Sequence, residues 1–344
     1  MIRSILSSLD ILQNDKNIDK PYRVKQIIEA IFIKRIFSFK EISNIPKQLR
    51  DYLSSMYYVL DVKPVKELVS KDGTIKFLFE LTDGNCIESV YLKDKNNRIT
   101  FCVSSQVGCR MGCKFCKTGL MGLIRNLSYS EIISQILYLS SVMDNDKDVV
   151  DTSFNIVFMG MGEPLDNYDE LVKTIEILTD KRYFNLSQSR ITISTCGVLD
   201  KIPKILERFN NLKIALSLIT ANNTKRKSIM PITNKFDIES LRHTLPDCYK
   251  KYKNRITLEY VLIKNLNMGN EDIDDLQIFN DEAFHINLIP LNHNDDNIER
   301  PTEDDIKTFQ SKLEKKGFCV TRRFRRGDDI KADCGQLYWD VVKK

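Results

Sequence analysis

Apolar positions follow two regimes along the chain. Over residues 1–50 they recur at helical spacing. In Pro21-Tyr22-Arg23-Val24-Lys25-Gln26-Ile27-Ile28-Glu29-Ala30-Ile31-Phe32, the apolar residues at 24, 27, 28, 31 and 32 share one face of a basic amphipathic helix. Two alternating stretches follow, Gly73–Leu81 and Ile87–Leu92, which the turn residues Thr82-Asp83-Gly84-Asn85 join as paired strands. From about residue 99, short apolar runs alternate with amphipathic ones. Strands are predicted at Ile99–Ser104, Asn155–Met159, Arg190–Ser194, Lys213–Leu218, Ile256–Ile263 and Ile286–Leu291. Helices are predicted near 128–142, 168–179, 199–208, 237–251, 271–280 and 302–316. Such alternation builds a parallel sheet from βα units. Six units are too few to close an eight-fold barrel. The pattern therefore predicts an α/β fold: an open, partial (β/α)6 barrel over residues 96–344, preceded by a small helical and β accessory domain over residues 1–95. In barrels of this kind chemistry collects on loops at the carboxyl ends of the strands.

The composition is that of a globular protein, 42% hydrophobic and 29% charged over 344 residues. No apolar run approaches the roughly 18–20 residues that span a bilayer. Met1–Asp10 lack the apolar stretch of a cleaved leader, so a cytoplasmic protein without membrane contact is expected. Nine cysteines in that compartment point to reduced or metal-bound thiols rather than disulfides. The net charge of +5 permits a nucleic-acid partner without arguing for one.

The densest chemistry is Cys109-Arg110-Met111-Gly112-Cys113-Lys114-Phe115-Cys116, directly after the first core strand. Three thiolates at spacings of four and three can converge on one iron–sulfur cluster, and a four-iron cubane held by three cysteines keeps one iron free of protein. The alternative is a structural zinc ion with four N/S ligands. His243, His285 and His293 are all remote from the loop, but Cys102 could be the fourth ligand of a zinc-stabilised RNA-binding protein.

Three further segments narrow the choice: Phe101-Cys102-Val103-Ser104-Ser105-Gln106-Val107-Gly108-Cys109, Phe158-Met159-Gly160-Met161-Gly162-Glu163-Pro164-Leu165, and Gly327-Asp328-Asp329-Ile330-Lys331-Ala332-Asp333-Cys334-Gly335-Gln336-Leu337. With the aromatic Phe115 before the last loop cysteine, they resemble the RNA adenine methyltransferases of the RlmN/Cfr family, within the radical S-adenosylmethionine (SAM) superfamily. The likeness extends over nearly the whole chain, including Pro21–Ile31 and Asn44-Ile45-Pro46-Lys47-Gln48-Leu49-Arg50.

The resemblance implies a [4Fe–4S] cluster on Cys109, Cys113 and Cys116 whose open iron binds SAM, with two SAM molecules used per turnover. Carbon 2 of adenine has no nucleophilic lone pair, which closes the polar route to its methylation. Cys334 is the implied carrier that takes a methyl group from one SAM as a thiolate. A second SAM, reduced at the cluster, yields a deoxyadenosyl radical that abstracts hydrogen from the S-methyl group, and the methylene radical adds to the ring. Cys102 is the implied resolving cysteine, releasing the base through a transient disulfide with Cys334. Glu88 is the implied proton acceptor. The implied SAM contacts are Gly162, Glu163, Ser194, Ser217, Leu218, Ile219 and Asn292, with the Glu163 side chain accepting from the SAM ammonium. The sequence departs from the family at Ile219, where a histidine is usual. It departs again at Asn292-His293-Asn294 (usually Asn-Pro-Phe) and Lys331-Ala332-Asp333 (usually Asp-Ala-Ala). Cys86, Cys196, Cys248 and Cys319 match no required position and are expected to be structural.

Two basic runs, Lys225-Arg226-Lys227 and Arg322-Arg323-Phe324-Arg325-Arg326, suit phosphate contacts near the expected site. A target base must be unstacked to react, which favours a loop adenosine. The resemblance implies an adenosine of the 23S rRNA peptidyl-transferase centre and one in a tRNA anticodon loop. It also implies an external flavodoxin- or ferredoxin-like electron donor, a monomer, and an accessory domain that grips RNA. Met161–Leu165, Thr257–Val261, Ile286–Pro290 and Gly327–Ile330 look more like the carbon 2 enzymes than the carbon 8, antibiotic-resistance branch. A carbon 8 enzyme and a radical SAM enzyme acting on a peptide or metabolite remain alternatives.

Overall fold

The computed structural model of the protein describes residues 2–10, 12–149, 153–291, 298–323, 326–332 and 335–337; Asn292 and Cys334 fall outside them. β1 (Arg3–Ser4) leads towards α1 (Pro21–Phe32), whose expected apolar face, Val24, Ile27, Ile28, Ile31 and Phe32, is buried. α2 (Lys47–Met56) follows and runs into β2 (Tyr57–Tyr58), which pairs in parallel with β1. β3 (Val62–Val69), β4 (Ile75–Leu81) and β5 (Cys86–Lys93) form an antiparallel meander with the expected turn between the last two. The meander continues directly into the core, because β5 pairs antiparallel with β6 (Ile99–Cys102).

β7 (Gln106–Cys109) and β8 (Gly122–Asn126) pair with each other outside the main sheet, and the cysteine loop and the one-turn α3 (Lys117–Leu120) lie between them. The alternation expected from the sequence then runs its course: α4 (Tyr129–Asp144), β9 (Phe154–Phe158), α5 (Tyr168–Thr179), β10 (Ile191–Thr195), α6 (Ile202–Arg208), β11 (Lys213–Ser217). Next come α7 (Asn223–Ile229), α8 (Ile238–Tyr252), β12 (Ile256–Leu262), α9 (Asn270–Leu276), β13 (Phe284–Pro290), α10 (Glu303–Lys315) and β14 (Val320–Arg322). The short α7 and the three-residue β14 were not expected, being too brief to show a period.

Among the described residues the main sheet has ten strands, ordered β3-β4-β5-β6-β9-β10-β11-β12-β13-β14. β6 and β9 to β14 run parallel, and the sheet stays open between its edges β3 and β14. This is the open α/β barrel that six repeats predict, with β14 as a further parallel strand. Parallel strands covered on both faces read as near-continuous apolar runs, so the exceptions are informative. Register sets Ser194 beside Ala215 and Ser217 beside Glu259, which puts two serines and a carboxylate on one face near the strands' carboxyl ends. Among the described residues no helix is long and apolar enough to cross a membrane.

Candidate active site

The cysteine loop leaves β7 through an irregularity in the β7–β8 ladder between Val107 and Gly108. Gly108 has φ +74°, and a Cβ there would lie 1.9 Å from the Gly122 carbonyl oxygen, so no side chain fits. Both flanks of the loop are tied down. Lys114 N donates to Ile229 O at the end of α7 (3.0 Å), and Lys117 N donates to Gly335 O (3.0 Å). Thr118 Oγ1 adds a bond to Leu337 O at 2.7 Å. Cys109, Cys113 and Cys116 thereby line one cavity of about 150 Å³, together with Gly162, Glu163, Ser194 and Ser217 from the strand ends.

Three thiols in one cavity, with small and polar strand-end residues and apolar side chains such as Phe158, Met230 and Ile289 completing its lining, form a donor set that fits a cluster with a ligand beside it. Burial pushes the Cys109 thiol up to about 12 and raises Cys113 further, so in the absence of metal both hold their protons. A metal centre would displace those protons on binding. Among the described residues no three His, Cys, Asp or Glu side chains are grouped to hold a single metal ion. A cluster, which offers a separate iron to each thiolate, does not require such a grouping. Cys102, the fourth ligand of the zinc alternative, is on β6 and does not line this cavity.

The strand-end residues divide into two groups. Gly162 has φ +105°, and a Cβ there would press to 2.6 Å from Gln106 Cβ; only glycine lets the loop pass. Glu163 is 4% exposed, and its carboxylate accepts from Leu165 N (3.1 Å) and Cys196 N (2.8 Å). Burial raises its carboxyl, and these amides oppose the shift. The side chain therefore ties two strand-end loops together while lining the cavity, rather than standing free for an ammonium group. Ser194 Oγ donates to Glu259 Oε2 at 3.1 Å, and Glu259 also lines the cavity. Sequence reasoning assigned Glu259 no role, although an acid inside Ile256-Thr257-Leu258-Glu259-Tyr260-Val261-Leu262 was a signal. Leu218 and Ile219 are fully buried outside the lining. Ile219 has φ +65°, a strained conformation for a β-branched residue. Asn267 Nδ2 holds that turn by donating to Ile219 O at 2.6 Å.

Cys102 and Glu88 come from neighbouring strands. Register pairs Val90 with Cys102 and with Lys76, and Glu88 lies two residues before Val90, so Lys76, Glu88 and Cys102 share a face. Cys102 pairs in turn with Val157, and Val157 with Thr192, which makes this the face that carries Ser194 and Ser217. Lys76 Nζ is 3.1 Å from Glu88 Oε1, both side chains being buried. The same ammonium donates to Lys331 O at 3.1 Å. Ser70 Oγ donates to Asp329 Oδ1 (2.5 Å), and Gly327 N donates to Asp72 Oδ2 (2.9 Å). The β3–β4 turn thus clasps residues 327–331, and Gly335 lines the cavity beyond.

Among the described residues of the two basic runs, most cations are engaged within the protein. Arg226 has no exposure at all and donates to protein oxygens, because α7 turns it inward. Lys225 is engaged by Asp272 (2.7 Å) and Glu271 (3.4 Å) of α9, which leaves Lys227 as the exposed member of the three. Arg322 pairs with Glu303, Arg323 reaches Glu259 at 3.4 Å, and Arg326 donates to Lys93 O. Phe324 and Arg325 lie outside the described residues. Of the four cysteines expected to be structural, Cys86, Cys196 and Cys248 are buried, whereas Cys319 is exposed with its sulfur 3.2 Å from His285 Nδ1.

Comparison with known proteins accords with this geometry. The model of the radical SAM superfamily matches residues 103–276. A probable dual-specificity RNA methyltransferase RlmN from Clostridium novyi (strain NT) is 42% identical over 348 residues, 99% of each chain. Its counterpart from Thermotoga maritima is 40% identical over 324 residues, 94% of this chain and 92% of the other. The crystal structure of a radical SAM methyltransferase from Sphaerobacter thermophilus matches with a TM-score of 0.91 at 34% identity, covering 96% of this chain and 97% of that one. Similar over nearly its full length to these proteins, the chain belongs to the radical SAM superfamily and, within it, to the RlmN family of RNA methyltransferases.

Proposed function

We propose that the protein methylates carbon 2 of an adenosine in the peptidyl-transferase centre of 23S rRNA and of an adenosine in a tRNA anticodon loop. The observation that carries this reading is the single cavity lined by Cys109, Cys113, Cys116, the strand-end residues and Gly335, the residue after Cys334. The dual-specificity RNA methyltransferases among its relatives support the choice of substrates. A [4Fe–4S] cluster on the three loop cysteines would supply the electron that cleaves SAM bound at its open iron.

The chain's own residues divide the remaining work. Gly162 admits the backbone close to the cavity, while Glu163, Ser194 and Ser217 shape the wall that SAM would meet. Asn292 completes the proposed SAM contacts, while Leu218 and Ile219, outside the lining, support the site by holding the strand-end turn. The Cys334 thiolate takes a methyl group from SAM by displacement at the methyl carbon, with S-adenosylhomocysteine as the leaving group, and two SAM molecules are consumed per turnover. Once the methylene carried by Cys334 is bonded to the ring carbon, Cys102 attacks the Cys334 sulfur, the sulfur–carbon bond breaks as the Cys102–Cys334 disulfide forms, and the methylated base leaves. Glu88, from the same sheet face as Cys102, takes the proton that the ring carbon gives up. Residues 1–95 grip the RNA and residues 96–344 carry the chemistry. An external flavodoxin- or ferredoxin-like protein supplies electrons, and the enzyme works as a cytoplasmic monomer.

The test is an anaerobic assay of the reconstituted protein with an rRNA fragment and methyl-labelled SAM, read by nucleoside mass spectrometry. Wild type gives a carbon 2 methyl group, Cys334→Ala gives none, and Cys102→Ala stalls as a protein–RNA adduct. A carbon 8 product would move the protein to the other branch of the family. SAM cleavage with no methylation of Cys334 or RNA would overturn the RNA reading.

A further inference from the structure

Arg226 heads the largest side chains fully removed from solvent. Its guanidinium donates to Cys196 O (2.8 Å), Thr233 Oγ1 (2.9 Å), Leu218 O (3.0 Å) and Ser217 O (3.2 Å). All four acceptors are neutral, and among the described residues no carboxylate pairs with it. A guanidinium stays charged in proteins, so burial cannot neutralise it as it neutralises a lysine. Burying an unpaired cation is strongly unfavourable unless an opposite charge lies nearby. Two of its acceptors belong to residues, Cys196 and Ser217, that line the same cavity as Cys109, Cys113 and Cys116.

Arg226 also belongs to the segment on which the cysteine loop rests. Its helix ends at Ile229, whose carbonyl accepts from Lys114 N, and Pro231 Cγ lies 3.7 Å from where a Cβ of Gly112 would stand. A four-iron cluster with three thiolates carries net negative charge, and reduction by one electron adds another unit. We propose that Arg226 is the built-in counter-charge of that cluster, a positioning residue that raises its reduction potential. The inference rests on the assignment of Cys109, Cys113 and Cys116 as the cluster ligands. The electron comes from the external donor, and Arg226 neither gains nor loses a proton.

The test uses full-length wild type, Arg226→Lys and Arg226→Gln, each reconstituted anaerobically. Iron and sulfide are quantified first, and the cluster is then titrated with redox mediators and dithionite and followed by electron paramagnetic resonance. The Gln variant's potential is expected to fall by at least about 59 mV, a tenfold loss in the one-electron equilibrium, and the Lys variant to recover more than half of that. Failure of Gln alone to hold a cluster that Lys holds would equally show that the charge is required. A Gln variant with full iron content and an unchanged potential overturns the proposal. So does equal collapse of both variants, because the hydrogen bonds rather than the charge would then be what the loop needs. A wild-type protein that takes up no four-iron cluster defeats the ligand assignment instead, a failure visible before any potential is measured.

Discussion

A residue's meaning here depends on whether its chemistry is local in sequence. The three loop cysteines and Gly162 were legible because their spacing and context are contiguous. Lys76, Arg226 and Glu259 were not, because their importance depends on which face of a strand or helix they occupy once strands far apart in sequence are paired. Arg226 looked like a surface cation in Lys225-Arg226-Lys227 and is buried. Lys76 sat unremarked in an alternating strand, yet its ammonium bridges Glu88 and the Lys331 carbonyl. Removing one member of a buried ion pair leaves the other charge in a poorly solvated site, at a cost of roughly 3–5 kcal/mol. Lys76→Met should therefore destabilise the protein by about that amount in urea unfolding. Lys76→Met combined with Glu88→Gln should recover part of the loss, and a double variant as unstable as the single one would show that the pair contributes no coupling.

Among elements, the helices near 128–142 and 168–179 could be read closely because periodicity and end signals agree. Ser128 and Glu131 form a reciprocal capping box at the start of α4. The β7–β8 hairpin escaped detection because the glycines and cysteines that the loop needs interrupt any alternation. β14 escaped because three residues cannot declare a period. Arg125, on β8, shows how the hairpin is tied in: it meets Asp83 of the β4–β5 turn at 2.5 Å and Glu131 of α4 at 2.8 Å. Its guanidinium holds the Asp83 carboxyl down to about 2, against an ordinary 3.8. A depressed carboxyl stabilises the fold above its unfolded value, and that contribution is lost as pH falls from about 4 through about 2. Carboxyl-carbon NMR should place the Asp83 midpoint near 2 in wild type and clearly higher in Arg125→Met. An unmoved midpoint would mean that Asn85 and the turn amides, not Arg125, set it.

For the whole molecule, the open sheet leaves two edges, and residues 327–331 are held beside the β3 edge. Asp72 and Ser70 of the β3–β4 turn and Lys76 of β4 receive them. A hydrogen bond to a charged group contributes about 1.5–3 kcal/mol, so Asp72→Ala should speed amide exchange at Gly327 about tenfold or more. Exchange in β9 to β13 should not change; a general rise would mean that the turn supports the sheet rather than residues 327–331. The same clasp imposes an order on the making of the enzyme. The cysteine loop is synthesised more than two hundred residues before the segment that lines the cavity beside it. At about 5–20 residues per second, that is a wait on the order of ten seconds or longer. During that interval Lys117 N and Thr118 Oγ1 have no Gly335 or Leu337 carbonyl to donate to, so the loop can be held on its other flank alone, by Lys114 N on Ile229 O. The second tether of the cysteine loop is therefore among the later bonds of the described fold to form.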